Sequence, residues 1–234
     1  MYKFDYFATV KKSYMIASIS NFISNDYKTL KASDTVLEVQ EFFEEVTFSH
    51  FPVLDSGIYL GSLAKEDAEN FDTDKTLLEY RYTLEGFFAR NTMNWLDVLE
   101  VFARNNTNTV PVLNQENEYL GYYELESIFK FFNETPFLKE QGTVVIIKKP
   151  IIDYSLSQIV QIVESNNAKL LGVFVSDTDV DSIQITLKIS LGEMNAIIQT
   201  FRRYNYEIIS EHDEDNYLIN LKERSDYLTK YLNL

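Results

Sequence analysis

One stretch of this chain occurs twice. Its first copy runs His50-Phe51-Pro52-Val53-Leu54-Asp55 and, after a short gap, Tyr59-Leu60-Gly61-Ser62-Leu63-Ala64-Lys65-Glu66-Asp67. The second runs Thr109-Val110-Pro111-Val112-Leu113-Asn114 and, after a gap one residue longer, Tyr119-Leu120-Gly121-Tyr122-Tyr123-Glu124-Leu125-Glu126-Ser127. Each copy reads as a buried strand, a turn, a second strand and the start of a helix. Two units about 60 residues apart are too few for a solenoid and fit a paired module.

The flanking residues extend each copy. Tyr27–Leu30 reads as a short strand, and Asp34 or Ser33 can cap a helix because a short side-chain oxygen accepts from a first-turn N–H. Val36, Val39, Phe43 and Val46 then lie on one helical face. Strands over Phe51–Leu54 and Ile58–Leu63 follow, and a short helix over Lys65–Asn70 closes the unit. Asp72–Tyr82 reads as a linker with a short helix. The order then repeats: a weak strand at Phe87–Ala89, a helix over Trp95–Asn105 capped by Asn94 with Asp97 completing a box, strands at Val110–Leu113 and Tyr119–Tyr123, and a helix over Leu125–Phe132 ended by Pro136. Ahead of all this, Met15, Ile16, Ile19, Phe22 and Ile23 predict a helix over Ser13–Ser24.

A second region begins near Gly142. Thr143–Lys148 is a β-rich run. Ser157–Ser165 is helical with Ile159, Ile162 and Val163 inward, and Leu170–Ser176 and Ile183–Ser190 are strands. Gly192–Tyr204 is a helix carrying Met194, Ile197, Ile198 and Phe201, and Tyr206–Ile209 is a last strand. The order is βαββαβ. A charged tail leads to a closing amphipathic piece with Tyr227, Leu228, Tyr231 and Leu232 on one face. The predicted organisation is an N-terminal segment (1–15), first repeat (16–72), second repeat (73–138), the βαββαβ domain (142–211), and an acidic tail with closing helix (212–234).

Composition removes several function classes. The net charge of −15 repels phosphate backbones and anionic lipid, so neither nucleic acid nor a membrane surface is an expected partner. There is no Cys, which excludes disulfides, thiolate metal sites and a Cys nucleophile. No apolar run is long enough to span a bilayer and no secretory leader is evident, so a cytoplasmic protein is expected. The two histidines, His50 and His212, are far apart, and no His/Cys metal cluster is expected. Asp177, Asp179 and Asp181 imitate the start of a calcium loop, but its sixth and twelfth positions hold Ser182 and Lys188, and a hairpin turn is the reading. No nucleophile elbow, phosphate loop or paired-carboxylate arrangement stands out.

The repeated "h-P-V-h-D … h-h-G-h-h-x-x-x-D" pattern, with Pro52 and Gly61 and again Pro111 and Gly121 at the family spacing, resembles the CBS domain. Two in tandem resemble a Bateman module. The second region is similar to an ACT domain in element order. The combination resembles bacterial acetoin-utilisation-type CBS–ACT regulators. The fold class expected is therefore α+β: tandem β-α-β-β-α repeats followed by a ferredoxin-like βαββαβ domain.

The resemblance implies a sensor in which adenosine nucleotides (AMP, ADP, ATP or a related ligand) occupy the cleft between repeats. In that pattern an Asp bonds ribose hydroxyls, a Ser/Thr hydroxyl helps hold ribose or phosphate, and the preceding strand meets the base. Carried over residue by residue, the first site comprises Phe51, Pro52, Val53, Ala64, Lys65 and Asp67, with Lys65 as a phosphate partner. The second comprises Val110, Pro111, Glu124 and Ser127. Asp67 matches the family's Asp, but Ala64 and Glu124 replace the hydroxyl, and Ser127 replaces the second Asp. Glu124 would repel a phosphate. Arg81, Arg90 and Arg104 are further candidate cations for a cleft, whose positions the sequence does not fix. The turn Lys149–Ser155 lacks the glycine of the ACT pattern, which counts against an amino acid there.

Two functions follow as expectations. The first is a non-catalytic regulatory protein that binds a small ligand, forms a homodimer through its ACT-like domain and acts on a partner protein. The alternative is a ligand-free interaction scaffold with degenerate sites. They are separated by whether the Asp67 cleft is open and lined by cations or plugged by aromatics such as Tyr122 and Tyr123. His50 is read as a strand-edge residue rather than a catalytic base.

Overall fold

The computed structural model describes residues 19–210. The predicted N-terminal segment (1–15), the closing helix and His212 lie outside the described residues, as does the first half of the helix expected over Ser13–Ser24. Of that helix, a single 3-10 turn, Ile19–Phe22, is described. The chain is α+β and divides after Phe132 into two compact units.

The first unit holds the two repeats. In the first, β1 (Leu30–Lys31) pairs parallel with β2 (His50–Asp55), and β2 pairs antiparallel with β3 (Ile58–Ala64). Helix α1 (Val36–Glu45) and the short α2 (Lys65–Ala68) complete the repeat. In the second, β4 (Ala89–Arg90), α3 (Trp95–Arg104), β5 (Thr109–Leu113), β6 (Tyr119–Glu124) and α4 (Leu125–Asn133) follow the same plan. Residues 61–70 and 121–130 are buried and exposed in the same order, position by position.

Helix starts obey local chemistry. Asn94 caps α3 by accepting from Leu96 N and Asp97 N. Helix α1 is capped by Thr35, not by Asp34 or Ser33. Glu38 N donates to Thr35 Oγ1 while Thr35 N donates to Glu38 Oε2, so two otherwise unpaired donors are satisfied at once. Asp34 instead accepts from Lys31 N at 2.8 Å, one residue too early to serve the helix. Val36, Val39 and Phe43 are fully buried, as their spacing predicts. Pro136 does not merely stop a helix; it opens α5 (Pro136–Lys139) at the first position, where its missing N–H has no partner to lose.

The segments ahead of the repeats cross over. Ser24 pairs in both directions with Tyr122 of β6 (2.8 and 3.0 Å), and Glu85 pairs in both directions with Ser62 of β3 (2.8 and 2.9 Å). Each repeat's last strand is thus closed by chain that precedes the other repeat. Both contacts fall beside a glycine. A Cβ on Gly121 (φ +141°) would meet Ile23 and the Ser24 carbonyl at 2.5 Å, and one on Gly61 (φ +152°) would meet Leu84 Cβ at 2.8 Å and Glu85 O at 3.1 Å. The cores are shared accordingly: Tyr122 of the second repeat is fully buried against Phe51 and Phe48 of the first, with ring centroids at 5.2 and 5.7 Å.

In the second unit β7 (Gly142–Pro150), β8 (Leu170–Thr178), β9 (Ser182–Ser190) and β10 (Glu207–Ile208) form one antiparallel sheet in the order β10-β7-β9-β8. Helices α6 (Leu156–Ser165) and α7 (Met194–Arg203) contribute Ile159, Ile162, Val163, Ile197 and Phe201 to a core with Val145, Ile147, Ile185, Leu187 and Ile189. Buried Lys149 directs its ammonium to Tyr204 O and Gln158 Oε1 at 2.9 and 3.1 Å and over the Tyr206 ring. The aspartates 177, 179 and 181 sit at and beside the β8–β9 hairpin turn, and among the described residues no group of acidic and His side chains is placed to hold a metal ion. No described helix is long and apolar enough to cross a membrane.

Adding one methyl group therefore has a position-dependent effect. Gly57→Ala, at a turn with φ +83° and open space around it, incurs backbone strain alone, about 1–2 kcal/mol. Gly61→Ala and Gly121→Ala add a clash with backbone and are expected to exceed that, Gly121→Ala most. Urea unfolding midpoints of the three variants check the order.

Candidate functional site

Ser49 and Asn108 are the residues two before the first apolar residue of each repeated strand motif, and they meet at the seam of the two repeats. Ser49 N donates to Asn108 Oδ1 at 2.8 Å, Asn108 N donates to Ser49 Oγ at 3.1 Å, and Asn108 Nδ2 reaches Thr47 O at 2.7 Å. The Thr109 hydroxyl donates to the His50 carbonyl. The same two residues hold the helices that follow β3 and β6, for Lys65 N donates to Ser49 O and Leu125 N to Asn108 O.

Beside this seam lies a cavity of about 650 Å³. The first repeat lines it with residues 47–50, 64–67 and Glu69, and the second repeat with Glu85, ahead of β4, and with Asn105 and Asn106. Of the residues singled out in the sequence for the first site, Ala64, Lys65 and Asp67 are brought together here. Phe51, Pro52 and Val53 do not line the cavity; they are buried in β2, with Phe51 stacked on Phe48 at 5.2 Å.

Lys65 has a structural partner. Its Nζ donates to the Phe43 carbonyl at 2.9 Å, in the last turn of α1, where a cation complements the helix dipole. Of the three arginines, Arg104 pairs with Glu100, and Arg90 donates to Asn117 Oδ1 and the Asn114 carbonyl and lies over the Phe88 ring. Neither they nor Arg81 line the cavity. The lining carries four carboxylates instead: Glu66, Asp67, Glu69 and Glu85. Among the described residues, only Glu85 of these has an ion-pair partner, His50 Nε2 at 3.5 Å, whose Nδ1 lies 3.0 Å from Ser49 Oγ.

The cleft is not plugged by Tyr122 or Tyr123, and its lining holds one lysine, Lys65, and one histidine, His50, among four carboxylates. Both tyrosines are fully buried in the cores. The corresponding positions of the second repeat are buried and exposed in the same way: Val110 and Pro111 are buried in β5, while Glu124 at the end of β6 and Ser127 in α4 are partly exposed; none of the four lines the first cavity. Next to that helix is a more apolar groove with Leu99, Phe102, Leu125 and Phe129. Sequence reading missed Ser49, Asn105, Asn106, Asn108 and Glu85, which carry no motif; the polar run from 105 to 108 ahead of an apolar strand was their only signal.

No known family's sequence model matches this chain, and no curated protein matches it. Among solved structures it is similar to a CBS domain pair/ACT domain protein from Thermotoga maritima, with 21% identity over 50% of this chain and 97% of that one and a TM-score of 0.45. It is similar to the CBS domains of a transcriptional regulator from Streptococcus pneumoniae, with 18% identity, 48% and 97% covered and a TM-score of 0.43. A third is the CBS domain of a bacterial CNNM/CorC family Mg²⁺ transporter in complex with ATP, with 13% identity, 52% and 92% covered and a TM-score of 0.42.

Glu124 yields a pH-dependent expectation. Burial, then Asp26 and Glu126, push its carboxyl above the usual range, with Lys130 partly offsetting them. Its charged form is thus disfavoured in the fold. The penalty is full above the folded value and is relieved as pH falls towards the ordinary one. Glu124→Gln should raise the thermal midpoint at pH 7, and the gain should vanish as pH falls through the carboxylate range.

Proposed function

We propose that this chain is a non-catalytic regulatory protein of the tandem CBS type, whose first-repeat cavity binds a small ligand. One observation carries the reading: Asp67 opens into a cavity walled by both repeats, so an occupant touches both sides of the seam held by Ser49 and Asn108. A ligand that prefers one arrangement of the two repeats shifts their equilibrium towards it, which is the physical content of sensing. Adenosine compounds are the first candidates, since a carboxylate with two acceptor oxygens suits a ribose diol. The second unit is read as an ACT-like domain that dimerises the chain and couples the ligand signal to a partner protein, with the whole acting in the cytoplasm. Its sheet order and the exposed Phe174 and Val175 on edge strand β8 support a dimerisation role.

A second reading, a ligand-free scaffold, is favoured by Ala64 at the hydroxyl position and by the carboxylates of the lining. The two part in a thermal-shift titration with adenosine and AMP. A ligand at 100 times its Kd adds about 2.7 kcal/mol of stability. The sensor reading expects a raised midpoint that Asp67→Ala removes. A flat response to both compounds supports the scaffold.

A further inference from the structure

We infer that the first-repeat cavity selects its ligand by charge, accepting a neutral or cationic nucleoside-like molecule and rejecting a polyphosphate; this rests on the reading of that cavity as the ligand site. The lining sets four carboxylates against one lysine and one histidine. The lysine is already committed: Lys65 Nζ sits on the Phe43 carbonyl. His50 lies between Ser49 Oγ and Glu85 Oε1. Arg90 and Arg104, the cations that would be needed for phosphate, are bonded elsewhere and line no part of the cavity.

The remaining lining is suited to an uncharged, hydroxylated body. The Asn106 amide and the Asn105 side-chain oxygen offer neutral polar groups, while Ser49 Oγ and Asn105 Nδ2 are engaged within the protein; Asp67 offers two acceptor oxygens, and Phe48 and Ala64 offer apolar surface. Glu66 and Glu69 are exposed and have no ion-pair partner among the described residues. An ammonium or sulfonium group placed near them gains attraction, whereas each phosphate charge is repelled. The field of the chain as a whole, with net charge −15, acts in the same direction.

The test is a calorimetric titration of the full chain, without divalent cations, using four probes that share one nucleoside: 5′-amino-5′-deoxyadenosine, adenosine, AMP and ATP. Affinity should fall along that series, by about fivefold per added negative charge, the size of one charge pair at about 4 Å in water. The spread should narrow as salt rises from 0.05 to about 0.5 M, because exposed charges are screened. Glu66→Gln with Glu69→Gln should flatten the series, so that the ratio of adenosine to ATP affinity falls towards one. ATP binding as tightly as adenosine or tighter overturns the inference and leaves the ligand site standing. A series unaffected by salt and by the double variant also overturns it. If none of the four probes binds, the ligand-site reading and the inference fall together.

Discussion

The reciprocal backbone pairing of Ser24 with Tyr122 and of Glu85 with Ser62 is the constraint on which the rest of the first unit depends. Each repeat is a small three-stranded sheet with two helices and its own buried cluster. By exchanging the segments that precede them, the repeats satisfy each other's outer strand edges and share aromatic side chains such as Tyr122. The exchange requires two backbones to approach within hydrogen-bonding distance beside β3 and β6, where a Cβ does not fit, and Gly61 and Gly121 stand there. The cleft beside the seam is a consequence. Glu85 reaches the cavity wall because its own backbone is tied to Ser62.

The seam is also what would make the cavity responsive. Ser49 serves the seam through Asn108, the start of α2 through its carbonyl, and His50 through its hydroxyl, and it lines the cavity. A molecule bound there competes with or reinforces these same bonds. These bonds are partly buried, and a net contribution of about 0.5–1.5 kcal/mol for each is comparable to the energy separating two arrangements of a module. The acidic lining then decides which molecules gain from binding.

Much of the fold was legible because the core repeats with a period set by secondary structure. Val36, Val39 and Phe43 on one helical face, and Ile159, Ile162 and Val163 on another, leave no other arrangement that buries them. The strand crossing was not legible, because Ser24 and Glu85 cross through their backbones and their polar side chains carry no apolar signal. The capping residue of α1 was misplaced because Ser33, Asp34 and Thr35 are all competent caps; only Glu38, three residues after Thr35, selects among them. Of the candidate residues that the family pattern suggested, Asp67 and Lys65 line the cavity, while Phe51–Val53, a fully apolar run, lie in the core. The role of Lys65 could not be read, because its partner is a main-chain carbonyl in another element.

The most direct measurement is hydrogen–deuterium exchange of the full chain with and without saturating adenosine. The account expects new protection confined to residues 47–50, 64–69, Glu85 and 105–108, the cavity lining and the seam beside it. Protection centred on 124–129, or in the β7–α6 turn at 149–155, would contradict it by placing the ligand elsewhere. Protection of 64–69 without 105–108 would contradict the claim that the occupant bridges the repeats.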